Sequence, residues 1–381
     1  MSRPHPSSSP PPDLRRTEAY DYTLPPGRIA RYPSERRDGS RLLVVPRGAL
    51  EGDGLGSPSS SDPFQDLSFS DLPSLVREGD VLVVNESRVL PVRLLGRKPT
   101  GAECEVLLLR PVERGADPSE AARWEALVRP GSKLKPGRRV VVSPELEVVV
   151  EAGLPNGLRV VRLESAVPLR DALERNGRIP LPPYLEREDE PADRERYQTV
   201  YARTPGSVAA PTAGLHFTPE LLECIDAHGA RIAKVTLHVG PGTFRPVTSE
   251  TIEEHRMDGE RWHVPADAAV AIAKARQRGG RVWAVGTTVA RTLESAADET
   301  GKVRDGEGET DLFIFPGYPF KVVDALITNF HLPRSTLLML VAAFAGYRTT
   351  LAAYARAVAS GYRFYSYGDA MVVTPRSGER P

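Results

Sequence analysis

"KVVDALITNFHLPRSTLLMLVAAFAG", residues 321–346, holds a strand, a turn and a helix in that order, and its reading decides the fold. "KVVDALITN" has the β-branched, apolar texture of a strand. Pro333 bars a helix from starting earlier. Ser335 is a good N-cap, because its hydroxyl can accept from an orphan backbone N–H of the first turn. The following run to Gly346 is apolar all round, as a buried helix requires. Such a cap has no need of Asn329, His331 or Arg334, so these polar groups at the mouth of a buried helix point to a ligand.

The same order recurs upstream. "PELLECIDAHG" (219–229) predicts a helix with Thr218 as N-cap and Pro219 at the first helical position. "RIAKVTLHVG" predicts a strand, "DAAVAIAKARQRGG" (267–280) a helix, "RVWAVG" a strand and "TVARTLESAADE" a helix. Alternation of this kind builds an α/β sheet, in which ligands lie beyond the carboxyl ends of the strands. Three segments deliver polar groups there: His238 followed by Thr243 and Arg245; Gly286, Thr287 and Thr288 followed by Arg291; and Asn329 to Ser335. "PTAGLHF" (211–217) adds His216. Each piece also has an ordinary structural reading, as a cap, a sheet histidine or a turn, and it is their convergence that argues for a site. "YRFYSYGDA" (362–370) alternates two faces like a packed strand, yet aromatics beside Asp369 would also suit a cationic ligand. "ERYQTVYA" (195–202) reads as a surface strand or a base-stacking segment.

From about 80 to 165 the texture changes to seven short β-branched runs separated by Gly, Pro or Asn, which predicts a small all-β unit, a barrel. The expected organisation is a disordered Pro/Ser tail over 1–16, a discontinuous α/β catalytic domain over 17–79 and 166–381, and an inserted β-barrel domain over 80–165. The stretch 51–63 reads as a loop.

Of 381 residues, 40% are hydrophobic and 26% charged, as in an ordinary globular protein. Cys104 and Cys224 are the only cysteines, which excludes a disulfide framework or Cys-based zinc site and fits a reducing cytoplasm. No His-Glu-x-x-His motif offers a metal site, and no Gly-x-Ser-x-Gly elbow offers a serine nucleophile. The longest apolar run is too short to cross a bilayer. Net charge is zero, but residues 88–139 carry 12 Lys/Arg against 6 Asp/Glu. "RPGSKLKPGRR" (129–139) is the densest basic part; a solvated surface is its ordinary reading, phosphate contact the alternative.

"YDYTLPPGRIARYP", "GDVLVVNESRVLPVRLLG", "GRIPLPPYLER", "GSVAAPTAGLHFTPELL", "HVGPGTFRPV", "VGTTVARTLES", the stretch that opens this section and "YRFYSYGDAMVV" follow one another in a familiar order. From Tyr20 to Val373 the chain resembles the S-adenosylmethionine:tRNA ribosyltransferase-isomerases of queuosine biosynthesis. The resemblance implies an α/β domain with an inserted barrel, in the cytoplasm, with a monomer expected over an obligate oligomer. It implies transfer and isomerisation of the ribosyl group of S-adenosylmethionine onto 7-aminomethyl-7-deazaguanine at the wobble position of a tRNA, giving epoxyqueuosine with release of adenine and methionine. S-adenosylmethionine is then a consumed substrate, with no cofactor and no metal.

The sulfonium acidifies the 5′ hydrogens of the sugar, and adenine departure needs a proton, so histidines suit both tasks. On this basis His216, His238 and His331 are candidates for proton transfer, unranked between base and acid. Asp369, with Tyr365 or Tyr367, is expected at the sulfonium or the substrate amine. Thr287, Thr288 and Arg291 are expected at the methionine carboxylate or ribose hydroxyls, with Thr243, Arg245, Gly286, Asn329, Arg334 and Ser335 around them. Asn85, Arg88, Arg129, Lys133 and Lys135 are expected to contact tRNA. The sequence departs from the family pattern at Asp258, where a histidine is usual, and at Pro241 and Pro26.

Overall fold

The computed structural model describes residues 12–51, 62–113, 115–240, 242 and 246–375. Most of the expected tail and of the 51–63 loop lies outside them, as do Thr243 and Arg245. Within the expected tail, Arg16 is paired with Thr251 in an isolated bridge.

The chain enters the main sheet as β1 (Arg41–Pro46), β2 (Gln65–Ser68) and β3 (Val81–Asn85). A short β4 (Ser87–Val89) leads into β5 (Arg93–Arg97), β6 (Glu103–Pro111) and β7 (Arg123–Arg129). With β8 (Arg139–Ser143), β9 (Leu146–Gly153) and β10 (Arg159–Ser165) these close a barrel in the order β10-β7-β6-β5-β8-β9. After α1 (Leu169–Asn176) and the single turn α2 (Asp193–Arg196), β11 (Thr204–Ser207) pairs with β4. The chain then alternates through α3 (Pro219–Ala227), β12 (Arg231–Leu237), β13 (Glu260–Val264), α4 (Ala266–Gln277), β14 (Val282–Val285) and α5 (Thr287–Ala296). It ends with β15 (Gly306–Thr310), β16 (Ala325–Asn329), α6 (Thr336–Ala345), α7 (Tyr347–Ala359) and β17 (Ala370–Thr374).

The fold is thus a mixed α/β domain carrying an antiparallel barrel. Its main sheet has nine strands in the order β15-β13-β12-β3-β14-β16-β17-β1-β2. One face packs Val81, Val83, Val235 and Leu326 against α4 to α7; the other packs Leu82, Val84, Trp283 and Ile327 with Phe217 and α3. Ser335 caps α6 through Leu338 N at 3.2 Å, and Thr218 caps α3 through Leu221 N at 3.2 Å. Among the described residues no single helix is long and apolar enough to cross a membrane.

The barrel boundary differs from expectation. "DVLVVNE" lies not in the barrel but in the centre of the main sheet, where β3 pairs with β12 and β14, both parallel. All five residues of β3 are buried, whereas β6 alternates buried and partly exposed positions. A parallel strand covered on both faces reads as a continuous apolar run, and a barrel strand reads as an alternation.

Strands β12, β3, β14 and β16 are neighbours and run parallel, so their carboxyl ends form one crest. Strand β17 runs antiparallel to β16, with β1 parallel to β17, which brings the N-terminal ends of those two strands, at Asp369 and Ser40, to the same edge.

Candidate functional site

At the β16 end of the crest, Asn329, His216 and His331 come together. His216 ends a short 3-10 turn (Thr212–His216) and is buried. Its Nδ1 lies 2.7 Å from Ser40 Oγ and its ring stacks on Phe69 at 4.9 Å. Asn329 Nδ2 donates to His216 Nε2 at 3.0 Å and to the Tyr365 carbonyl at 3.2 Å. An amide nitrogen can only donate, so Nε2 accepts and the proton sits on Nδ1, directed at Ser40. Burial, with the Arg363 and Arg37 charges nearby, lowers the His216 pKa to about 3, and the ring is neutral at pH 7. Both ring nitrogens are therefore engaged, and His216 acts as a support for Asn329.

His331 is held through Nε2 by Thr328 Oγ1 at 2.7 Å, and its backbone N–H donates to Tyr354 Oη at 3.0 Å. Burial lowers its pKa to about 3. The ring lines a cleft of about 330 Å³, partly open to solvent, together with Asn329, Tyr184, Thr212, Ser335, Tyr365 and Ser366. Tyr184 and Tyr365 stack at 4.5 Å along one wall, and Tyr365 holds φ at 72°, a strained value for a non-glycine residue. On the other side of His216 and Ser366 a second cleft is lined by Ser34, Arg37, Arg196 and Tyr367.

His238 lies apart. It follows β12, three strand spacings from β16, or about 14 Å at the usual inter-strand distance. Burial, with Arg261 adding to it, lowers its pKa to about 4. Gly206, at φ 135°, leaves room for this ring: a Cβ there would come within 2.8 Å of His238 Cε1. The three histidines thus share a crest but not one cleft.

Along that crest a row of buried polar atoms lacks any hydrogen-bond partner among the described residues. They are His238 Nδ1 after β12, Glu86 Oε2 after β3, Thr288 Oγ1 after β14 and Asn329 Oδ1 on β16. Buried unsatisfied groups are rare because each forfeits its hydration. One at each of four adjacent strand ends describes the polar lining of an elongated ligand site. Gly286 (φ 93°) turns β14 sharply into α5, placing Thr287 and Thr288 at the helix start, where backbone N–H groups favour anionic groups.

Several expected site residues are committed elsewhere. Arg291 is buried one turn into α5, ion-paired with Glu260, and donates to the Leu312 carbonyl at 2.9 Å; it links α5 to β13 rather than waiting for a carboxylate. Asp369 accepts from Arg41 N at 3.0 Å and Arg363 N at 2.8 Å, closing a turn through 363–369 where an alternating strand was expected. Asn85 clamps β3 to β12 through the backbone of Leu237, at 3.0 and 3.1 Å, and is fully buried, out of reach of RNA. Tyr367 donates to Asp193 at 2.8 Å. Arg334 pairs with Asp21 outside the cleft. "ERYQTVYA" is neither a surface strand nor a stacking face, since Tyr197 and Tyr201 are buried. Arg88, Arg129, Lys133 and Lys135 are exposed and form no ion pair among the described residues, the last three on or beside the β7–β8 loop. Asp258 comes close to Gly242. Ser40, Thr328, Tyr184 and Glu86 were not foreseen; Ser40 meets His216 across 176 positions of sequence, and no local motif could have announced it.

Polar groups at the strand ends of an α/β sheet, with a β-barrel beside them, are where such a fold holds a ligand. A family model described as "Queuosine biosynthesis protein" matches residues 17–373, and the chain belongs to that family. It is 50% identical, over 356 residues, to the S-adenosylmethionine:tRNA ribosyltransferase-isomerase of Pelobacter propionicus, covering 93% of this chain and 98% of that one. The protein of the same name from Thermus thermophilus is 52% identical over 366 residues, covering 93% and 99%. A crystal structure of S-adenosylmethionine tRNA ribosyltransferase from Thermotoga maritima aligns with a TM-score of 0.51 and 37% identity over 93% of this chain and 99% of that one.

Proposed function

We infer that the protein is an S-adenosylmethionine:tRNA ribosyltransferase-isomerase, moving the ribosyl group of S-adenosylmethionine onto 7-aminomethyl-7-deazaguanine at the wobble position and releasing adenine and methionine. The observation that carries the site assignment is the row of unpartnered polar atoms from His238 to Asn329. S-adenosylmethionine lies along its β14–β16 half, with Asn329 Oδ1 and the hydroxyl of Thr288 toward its ribose and the start of α5 toward its carboxylate. Tyr365 and Tyr184 supply the aromatic wall.

His331 performs proton transfer in the cleft: Thr328 holds its Nε2, so Nδ1 is the nitrogen that meets substrate. With Nε2–H donating to Thr328, the neutral ring presents the Nδ1 lone pair to the 5′ proton that the sulfonium acidifies. His216 positions Asn329. No cofactor is required, because the sulfonium itself activates the sugar. Lys133, Lys135, Arg129 and Arg88 contact tRNA phosphates, and a single chain in the cytoplasm, where its two thiols stay free, suffices for the reaction.

Incubating the protein with S-adenosylmethionine and tRNA bearing the aminomethylated base tests the reading. Adenine release and a wobble nucleoside carrying the added ribosyl carbons are expected; S-adenosylhomocysteine as product would instead mean methyl transfer and end the proposal.

A further inference from the structure

Seven acidic side chains are buried among the described residues: Asp38, Asp80, Glu86, Asp193, Glu260, Glu294 and Asp369. Six of them are compensated. Asp38 pairs with Arg36, Asp80 with Arg281, Asp193 with Arg187 and Glu260 with Arg291. Glu294 accepts from the backbone N–H groups of Lys321, Val322 and Val323, and Asp369 from those of Arg41 and Arg363.

Glu86 is the exception. Its Oε1 has only a long contact with Thr204 Oγ1 at 3.4 Å, and its Oε2 is buried with no donor among the described residues. Its backbone is fixed, donating to the Val235 carbonyl at 2.9 Å and accepting from Arg203 N at 2.7 Å, which holds the residue at this end of the crest. A buried carboxylate without a cation or donor is costly, and a bound cation removes that cost.

Val235 is level with Asn85, so Thr236 is level with Glu86, and His238 lies two residues further on the same face. The unpartnered Nδ1 of His238 belongs to this end of the crest as well. Arg203, level with Glu86 at the head of the neighbouring strand, and Arg88, two residues beyond Glu86, are exposed and form no ion pair among the described residues, a setting that suits RNA phosphates. The Asn329–His331 cleft lies two strand spacings away.

We propose that Glu86 is the counter-ion for the protonated aminomethyl group of the target base, with His238 as a second acceptor for its N–H donors. This rests on the reaction proposed above. The crest is then divided: the β14–β16 half holds the sulfonium substrate and the β12–β3 half holds the base that receives its sugar.

The test compares binding of two tRNAs, one with 7-aminomethyl-7-deazaguanine and one with guanine at the wobble position, to the wild-type protein and to Glu86→Gln, with S-adenosylmethionine affinity measured alongside. The wild type is expected to prefer the aminomethylated tRNA by about tenfold or more, since a desolvated charge pair discriminates strongly. Glu86→Gln is expected to lose that preference while keeping its affinity for the guanine tRNA and for S-adenosylmethionine. A variant that retains the preference overturns the proposal. So does one that loses S-adenosylmethionine affinity instead, since the carboxylate would then serve the sulfonium substrate. Glu86→Asp, which keeps the charge, is the second variant and should retain the preference that Glu86→Gln loses; its loss there as well, or equal binding of the two tRNAs by the wild type, overturns the proposal. Failure of adenine release in wild type would count against the reaction itself, separately from either binding result.

Discussion

Lowering the pH from 7 to 5 should remove about 4 kcal/mol of folding stability through His216 and His331 alone, by linkage. Both rings are held near pKa 3 by burial, against an ordinary 6.5. Above pH 6.5 each imidazole is neutral in the folded and unfolded chain, and the shift has no effect. Between 6.5 and about 3 the unfolded chain binds the proton and the folded chain refuses it. Stability therefore falls by roughly 1.4 kcal/mol per pH unit for each histidine. At pH 5 the interval is about 1.5 units, or about 2 kcal/mol per ring. Domain stabilities are about 5–15 kcal/mol, so the loss is large enough to read directly. Urea unfolding at pH 7, 6 and 5 measures it, with His216→Gln/His331→Gln as the comparison lacking both titrations. The wild type should lose about 4 kcal/mol more than the double variant over this range. Equal acid slopes in the two proteins would refute the claim that these imidazoles are buried neutral.

His331→Ala should lower kcat for adenine release about 100-fold or more, the usual worth of a proton-transfer group, while tRNA affinity measured by filter binding stays the same. Asn329→Ala should also depress turnover, and would raise the KM for S-adenosylmethionine, since it removes the cleft acceptor. Arg291→Met takes the cation from the buried Glu260 and should cost about 3–5 kcal/mol in urea unfolding, with part of that recovered in Arg291→Met/Glu260→Met; recovery would be absent if Arg291 served substrate instead. Lys133→Ala/Lys135→Ala should reduce the slope of log affinity for tRNA against log salt by roughly 1–2, leaving S-adenosylmethionine binding unaltered.

The errors of the sequence reading are instructive because they share a cause. Arg291, Asp369 and Asn85 have the chemistry of site residues and stand at strand ends or helix starts. Their partners come from other segments: Glu260 on β13, Arg41 at the head of β1 and Leu237 on β12. A polar residue looks available until the residue that satisfies it is found. Glu86 is the reverse case, inconspicuous within "NESRV" and noticeable only once the other buried carboxylates are seen to have partners. The misplaced barrel boundary had a local signal after all, since the unbroken "VLVV" of β3 differs from the alternation of β6.

What the sequence determined by itself was whatever depends on near neighbours: the caps at Thr218 and Ser335, the alternation of strand and helix, the barrel texture, and through long runs of motif the family. Tertiary structure alone decided which polar groups are spent and which are left over. That follows because a hydrogen bond or ion pair is satisfied by distance in space, and Ser40, His216 and Asn329 meet only after the chain has folded across more than a hundred residues between each contact.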